Sequence, residues 1–371
     1  KPLYHYIGPA ISRMVLDYFP VLKNINVIRT WSGLIAGISD DLAFALHNIR
    51  VADKRRQAEA KARVQQEQLM QADKMVALGT LVTIGTGPIV AGLIDLAVNR
   101  SVPSARWLTG ALSAIIGVAL LYVFQDALIF FPQPTPPPHR EQFAAHAFSV
   151  KHEGKTLQGW YVAGTVSKTR PLLVYYGGNA EEVSGNLLDL ARLQAGAYLF
   201  MNYRGYGDSQ GKPSQKTLCR DALHIVDTIA ARDTIPMDHI VLMGRSLGSG
   251  VAVYVASQRP VRGLILVTPF DSLLNVARHH YPLLPVRLLL KHPFDSATLA
   301  PAIKIPALFL IGREDTIIPN KRSTRLAKLW GGPVETVTIE GVGHNDIQLA
   351  PRYWEAINQF LSAKNDKKPA R

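Results

Sequence analysis

The stretch His239–Gln258, HIVLMGRSLGSGVAVYVASQ, sets the reading of the whole chain. An apolar, β-branched run leads into Ser246, and a run of helical character leads out of it. Gly244 and Gly248 stand two residues either side of the serine, so Gly244-Arg245-Ser246-Leu247-Gly248 is a GxSxG motif in a strand–turn–helix context. The pattern has a steric cause. A serine on so sharp a turn holds a strained backbone, and only residues without Cβ let the two arms of the turn approach. The hydroxyl is then raised over a helix N-terminus, which favours developing negative charge.

Working outward, further strand patterns are expected at His146–Val150, Leu157–Val162, Leu172–Tyr176, Tyr198–Asn202, Ile240–Met243, Gly263–Val267, Ala307–Ile311 and Glu335–Ile339. A hairpin followed by alternating strands and helices predicts an α/β fold. Its sheet would be mostly parallel, eight-stranded, with helices on both faces. A serine nucleophile needs a base and a group that orients the base. His344 lies just after the last strand, in EGVGHND. Asp315 lies just after the preceding one, in IGREDTIIP, with Glu314 and Asp346 as neighbouring alternatives. The chain order Ser246, Asp315, His344 is the one expected where the serine follows a central parallel strand. Backbone N–H groups for an oxyanion are expected from Leu247 and from the loop Gly177-Gly178-Asn179-Ala180 after LLVYY. Residues 271–303 are too short for a large lid and suit a small apolar cap, in which His279, His280 and His292 read as surface or cap residues rather than metal ligands.

The rest of the chain divides unevenly. Residues 1–48 have no clear structure, and 49–80 read as a long Ala/Gln/Lys/Arg/Glu helix, whose stretch 49–78 could self-associate. Residues 81–125 are hydrophobic and 126–139 form a Pro-rich linker, expected to be stiff through 131–139. Residues 140–362 form the catalytic domain, and 363–371 a basic tail. Trp107–Phe124 carries no charge and is expected to span a membrane, with Trp107 and Tyr122 at its interfaces. The run 81–98 holds Asp95, which is costly inside a bilayer, and no cleavage pattern of a signal peptide follows it. Arg100 and Arg106 precede the span, which keeps the N-terminal side cytoplasmic and puts the catalytic domain on the opposite side. A second span at 81–98 would reverse this. The net charge of +13 is spread along the chain without a basic stripe interleaved with aromatics, so nucleic acid is not an expected partner, and the charge reads as a solvated face or as attraction to anionic lipid. The single cysteine, Cys219, excludes an intrachain disulfide framework and reads as a packing residue.

The motifs YYGGNAEEVS (175–184), NYRGYGDSQGKPS (202–214), GRSLGSG (244–250), TPFDSL (268–273), GREDTIIP (312–319) and GVGHND (341–346) occur in that order, after FQDALIFFPQP (124–134). Together they resemble the membrane-anchored α/β-hydrolase-domain proteins, from about residue 103 to 361. The resemblance implies an α/β-hydrolase fold, a triad of Ser246, Asp315 and His344, and oxyanion donors at Leu247 and Asn179. Tyr203 and Arg204 belong to a loop that resembles the family's structural loop beside the site and is expected to shape the pocket with no chemical role, and Gly178 and Arg245 are expected at the pocket as well. Gly177 stands where many relatives have histidine, so a side-chain role for that histidine is lost. The implied substrates are small-molecule or lipid acyl esters or thioesters, with no metal or organic cofactor. Two short stretches carry no function. Residues 18–34 are similar to a tail fragment of FAD-dependent amino-acid oxidases, without the GxGxxG fingerprint. Residues 66–82 resemble the dimerisation helix of sensor histidine kinases, without the phospho-acceptor histidine.

Three functions remain open on these residues: a membrane-tethered serine hydrolase of carboxylic esters or thioesters, a peptidase or amidase of the same fold, or a non-catalytic tethered binding module or fusion product. The missing kinase elements leave little room for a sensor kinase.

Overall fold

The computed structural model describes residues 105–363 except 283, with the side chains of 105–111, 113 and 114 outside that description. The expectations for 1–104 and for the basic tail beyond 363, including the long helix, both short resemblances and the run 81–98, lie outside the described residues.

Eight strands form one sheet: β1 Ala147–His152, β2 Lys155–Val162, β3 Leu172–Tyr176, β4 Ala197–Met201, β5 Ile240–Arg245, β6 Gly263–Val267, β7 Ala307–Gly312 and β8 Val334–Ile339. Their order is β1-β2-β4-β3-β5-β6-β7-β8. β2 pairs antiparallel with β1 and β4, and the remaining pairs are parallel. The helices between strands are α3 Gln215–Arg232, α4 Leu247–Gln258 and α8 Asn320–Leu329, with α9 Pro351–Ser362 after β8. Before the sheet stand α1 Ala105–Ile129 and the short α2 Pro137–Gln142. Between β6 and β7 lie three short helices, α5 Leu273–His280, α6 Val286–Leu289 and α7 Ser296–Leu299.

The central strands are buried on both faces, which is why they read as continuous apolar runs. The period of two sends alternate residues into two cores. Val174, Leu242, Leu264 and Phe309 pack with Leu218, Ile225 and Ile229 of α3 and Val251 and Val255 of α4. Leu173, Val241, Ile265 and Leu308 pack on the other face with Ile357, Phe360 and Leu361 of α9 and with Val183 and Leu187 of a 3-10 helix at Val183–Arg192. Arg262 clasps the end of α9, donating to the carbonyls of Leu361 and Ala363. β8 is an edge strand and keeps only Ile339 buried. Cys219 is buried in the first core, as its place on an amphipathic helix implies.

The strand order reverses at β3. The chain leaves β3 for β4 on one side and returns to β5 on the other. In such sheets the crevice at the carboxyl ends of the two diverging strands is the position for a site.

Two stretches before the sheet differ from expectation. The stretch read as a linker, 126–139, begins inside α1, is irregular over 130–136 and enters α2. It is tied down along its length. Phe131 N–H donates to the Asn179 carbonyl at 2.9 Å, Gly207 N–H donates to the Gln133 carbonyl at 2.7 Å, and Thr135 is buried. Prolines leave carbonyls free to accept such bonds, so a Pro-rich strap packs as readily as it extends. The expected span Trp107–Phe124 lies within α1. Seven of its side chains, 107–111, 113 and 114, fall outside the description, and among the described residues no helix is long and apolar enough to cross a membrane.

Candidate active site

Ser246 sits between the end of β5 and the start of α4 with φ 51° and ψ −116°, a conformation that costs a side-chain-bearing residue on the order of 1–3 kcal/mol. Its N–H donates to the Val267 carbonyl on β6. A Cβ on Gly244 would lie 2.3 Å from the Gly248 carbonyl oxygen, and one on Gly248 would lie 2.1 Å from that of Tyr176. Both glycines are required by close backbone approach.

The Ser246 Oγ lies 2.9 Å from His344 Nε2. The His344 Nδ1 lies 2.8 Å from Asp315 Oδ2. Asp315 Oδ1 accepts the N–H groups of Ile317 at 2.9 Å and Ile318 at 2.8 Å. A carboxylate bonded to two N–H groups stays an acceptor, so the Nδ1 facing it carries the proton and Nε2 accepts from the serine hydroxyl. The two alternative acids are elsewhere. Asp346 Oδ1 accepts the Gly343 N–H at 2.6 Å within its own turn, and Glu314 is exposed.

Leu247 is the first residue of α4, and a first-turn N–H has no acceptor inside its helix. On the facing loop, Gly178 N–H is taken by Glu181 Oε2 at 2.8 Å. The Gly178 carbonyl accepts from the Glu181 N–H at 3.4 Å, so the trans peptide turns the Asn179 N–H away from that turn. The Asn179 carbonyl accepts from Tyr206 Oη at 2.6 Å, and its side-chain amide donates to the Ile129 carbonyl at 3.1 Å. Asn179, Ser246 and Leu247 all line one cavity of about 520 Å³.

That cavity has apolar walls. The cap supplies Leu273, Val276, Tyr281 and Leu289, the loop after β7 supplies Ile317 and Ile318, and α1 supplies Leu121, Leu128 and Ile129. His280 also lines it, bonded through Nε2 to the Ile317 carbonyl at 2.8 Å. The α1 contribution is the part sequence reasoning missed. Leu121, Gln125, Leu128 and Ile129 follow the spacing i, i+4, i+7, i+8 of one helix face, a signal split between the end of the apolar run at Phe124 and the stretch read as a linker. Gln125 is buried and fastens the helix to the cap. Its Nε2 donates to the Leu289 carbonyl at 2.9 Å, and its Oε1 accepts the Lys291 N–H at 2.7 Å. Beside it, Asp126 Oδ1 lies 2.8 Å from His292 Nε2. His292 is thereby a buried cap residue that links the cap to α1, whereas His279 is exposed.

Gly178, Tyr203, Arg204 and Arg245 are not among the cavity's lining residues. Tyr203 is buried and donates to the Gly177 carbonyl at 2.9 Å, tying its own loop to the loop after β3, and burial pushes its phenol well above the ordinary range. Arg204 faces away, bonding Asp221 at 2.6 and 2.8 Å and Glu153 at 2.9 Å, and so ties the loop to α3 and to the β1–β2 turn. Among the described residues no group of three or more His, Cys, Asp or Glu is disposed to hold a metal ion.

An eight-stranded sheet with a strained serine at its central turn, bonded through histidine to aspartate, defines the class of protein. The profile of the alpha/beta hydrolase fold matches residues 176–291. An uncharacterized protein of Mycobacterium tuberculosis is 34% identical over 253 residues, covering 66% of this chain and 90% of the relative. The chain therefore belongs to the alpha/beta hydrolase family. It is also similar to the alpha/beta hydrolase domain-containing protein WAV2 of Arabidopsis thaliana, at 27% identity over 67% of this chain and 90% of that protein. An uncharacterized membrane protein of Saccharomyces cerevisiae is 28% identical over 70% of this chain and 97% of its own length. Among solved structures, an alpha-beta hydrolase from Vibrio vulnificus superposes with a TM-score of 0.51 at 20% identity, covering 66% of this chain and 92% of the other. This likeness concerns the fold alone.

Proposed function

We propose that this protein is a membrane-tethered serine hydrolase that cleaves carboxylic ester or thioester bonds. The observation that carries the reading is the hydrogen-bonded series Ser246–His344–Asp315 opening into an apolar cavity large enough for an acyl chain. Ser246 Oγ attacks the acyl carbonyl while His344 Nε2 takes its proton. Asp315 holds the imidazole in the needed tautomer and stabilises the cation that forms. The N–H groups of Leu247 and Asn179 receive the oxyanion. The imidazolium then protonates the departing alcohol or thiol, and a water activated by the same histidine releases the acid and restores the serine.

The lining favours acyl substrates over peptides, because its walls are mostly aliphatic and aromatic and among its described residues no Asp, Glu, Lys or Arg is present to orient a peptide's termini. Tethering is supported by the exposed apolar stripe of Leu112, Ile115, Ile116, Leu120, Val123 and Phe124 on α1, and by the description of the yeast relative as a membrane protein. The flanking charges favour the catalytic domain on the non-cytoplasmic side.

Fluorophosphonate labelling of the whole chain tests the nucleophile. Wild type is expected to label and to hydrolyse p-nitrophenyl acyl esters, with both lost in Ser246→Ala. Equal labelling of the two proteins refutes the assignment. Faster turnover of amino-acid anilides than of esters would make the protein an amidase.

A further inference from the structure

Bonded to the residue immediately before Ser246 is a buried carboxylate that the chemistry above does not use. Glu181 is 3% exposed, and both of its oxygens are engaged. Oε2 accepts the Gly178 N–H at 2.8 Å. Oε1 accepts from Tyr175 Oη at 2.9 Å and from Asn186 Nδ2 at 2.9 Å. Arg245, the residue immediately before the serine, is also buried and sets its Nη1 3.3 Å from Glu181 Oε2. Its Nη2 lies 3.4 Å from the His344 carbonyl and 3.4 Å from Asn345 Oδ1. One ion pair thus touches the loop after β3, the turn after β5 and the loop after β8, the three segments that carry Asn179, Ser246 and His344.

We propose that Glu181 and Arg245 form a positioning pair that fixes the oxyanion loop and the histidine loop relative to the nucleophile. The proposal rests on the serine-hydrolase reading. Burying two charges is unfavourable, and an apolar pair of similar volume commonly serves packing as well or better. What an apolar pair cannot do is bond in chosen directions to the Gly178 N–H and to the His344 carbonyl. Those bonds are worth having where the reacting groups must be held to a fraction of an ångström, since a 1 Å misplacement can cost about a hundredfold in rate. Neither side chain lines the cavity, so the pair acts through its neighbours and not on substrate.

Two variants of the full chain separate positioning from stability. Glu181→Met/Arg245→Met replaces the pair with volume-matched apolar groups. Arg245→Lys keeps the charge but loses the second arm to His344. For a short-chain p-nitrophenyl ester, kcat is expected to fall roughly a hundredfold in the double variant with KM within about threefold, while the melting temperature stays at or above that of wild type. Arg245→Lys is expected to keep the melting temperature and still lose about tenfold in kcat. The Gly178 amide, having lost its acceptor in the double variant, is expected to exchange at least about tenfold faster. Wild-type kcat in the double variant overturns the proposal. Should the double variant not fold, Arg245→Lys with wild-type kcat overturns it. If wild type and Ser246→Ala are equally inactive on every acyl ester, the hydrolase reading has failed. The pair is then judged on Gly178 exchange alone, and unchanged protection in the double variant overturns it.

Discussion

Ser246 stores strain that its neighbours must hold. Its positive φ is fixed by two glycines whose Cβ positions are occupied by backbone oxygens, by an N–H bond to β6 and by the helix that begins one residue later. Single residues of this kind are legible in sequence because the steric demand is absolute: only glycine fits at 244 and 248. Asp315 was legible only as one of three acids. The choice falls to the turn at 315–318, whose two N–H groups aim its carboxylate at His344, and no spacing rule states that aim. Glu181 was not legible at all. A glutamate after Gly-Gly-Asn-Ala reads as a solvated turn residue, and its burial depends on Arg245, 64 positions away in sequence. Cys219 gives a test at this scale. Burial pushes its thiol up to about 12, so at pH 8 the folded chain holds roughly a thousandfold less thiolate than an unfolded one with the ordinary value of 9.0. It is the chain's one cysteine. Iodoacetamide at pH 8 is expected to leave the native protein unmodified over a time that fully alkylates it in urea, read by intact mass. Native labelling within tenfold of the unfolded rate contradicts the burial.

Among the elements, α1 carries two faces with different tasks. Leu121, Gln125, Leu128 and Ile129 turn inward to the cavity, whereas Leu120, Val123 and Phe124 are exposed. Hydropathy alone merges these faces into one apolar run, so the sequence reading ended the helix at the domain boundary and placed a linker after it. The cap, by contrast, was legible, because 271–303 is apolar and too short for anything larger. On the proposed acyl-ester activity, the shared wall makes selectivity for chain length depend on α1. Leu121→Phe with Leu128→Phe adds volume at the cavity wall. It is expected to lower kcat/KM for a dodecanoyl ester at least about tenfold while leaving an acetyl ester within about twofold, since each excluded methylene forfeits about 0.8 kcal/mol of burial. An equal loss on both esters would show that the two leucines do not contact the acyl chain. Gln125→Ala is the companion variant. It leaves the Leu289 carbonyl and the Lys291 N–H without their partner, and loosens the cap without filling the cavity.

For the molecule as a whole, the eight strands were legible because central strands of a parallel sheet are apolar on both faces and the intervening helices are not. Boundaries shifted slightly, as at Ala147–His152 against the expected His146–Val150, where pairing with β2 extends the strand beyond its apolar stretch. Strand order was not legible, since reversal at β3 leaves no mark in local sequence. The proposed tethering has two candidate routes to a bilayer, the whole chain's charge of +13 and the exposed stripe on α1, and salt separates them. At 1 M salt the screening length is about 3 Å, which removes long-range attraction but not apolar insertion. In flotation with vesicles of neutral and anionic phospholipid, the protein is expected to remain bound at 1 M NaCl. Complete release would mean attraction by charge alone and would contradict the tether.

The inward face of α1 also bears on how this protein is handled. The obvious way to obtain a soluble sample is to cut before the apparent linker and express residues 126–371. That cut removes Leu121 and Gln125, opens the cavity on one side and uncovers the leucines of the cap. Substrate preferences measured on such a fragment would describe a wider, wetter pocket than the whole chain possesses. A detergent-solubilised full chain is the form whose selectivity has meaning.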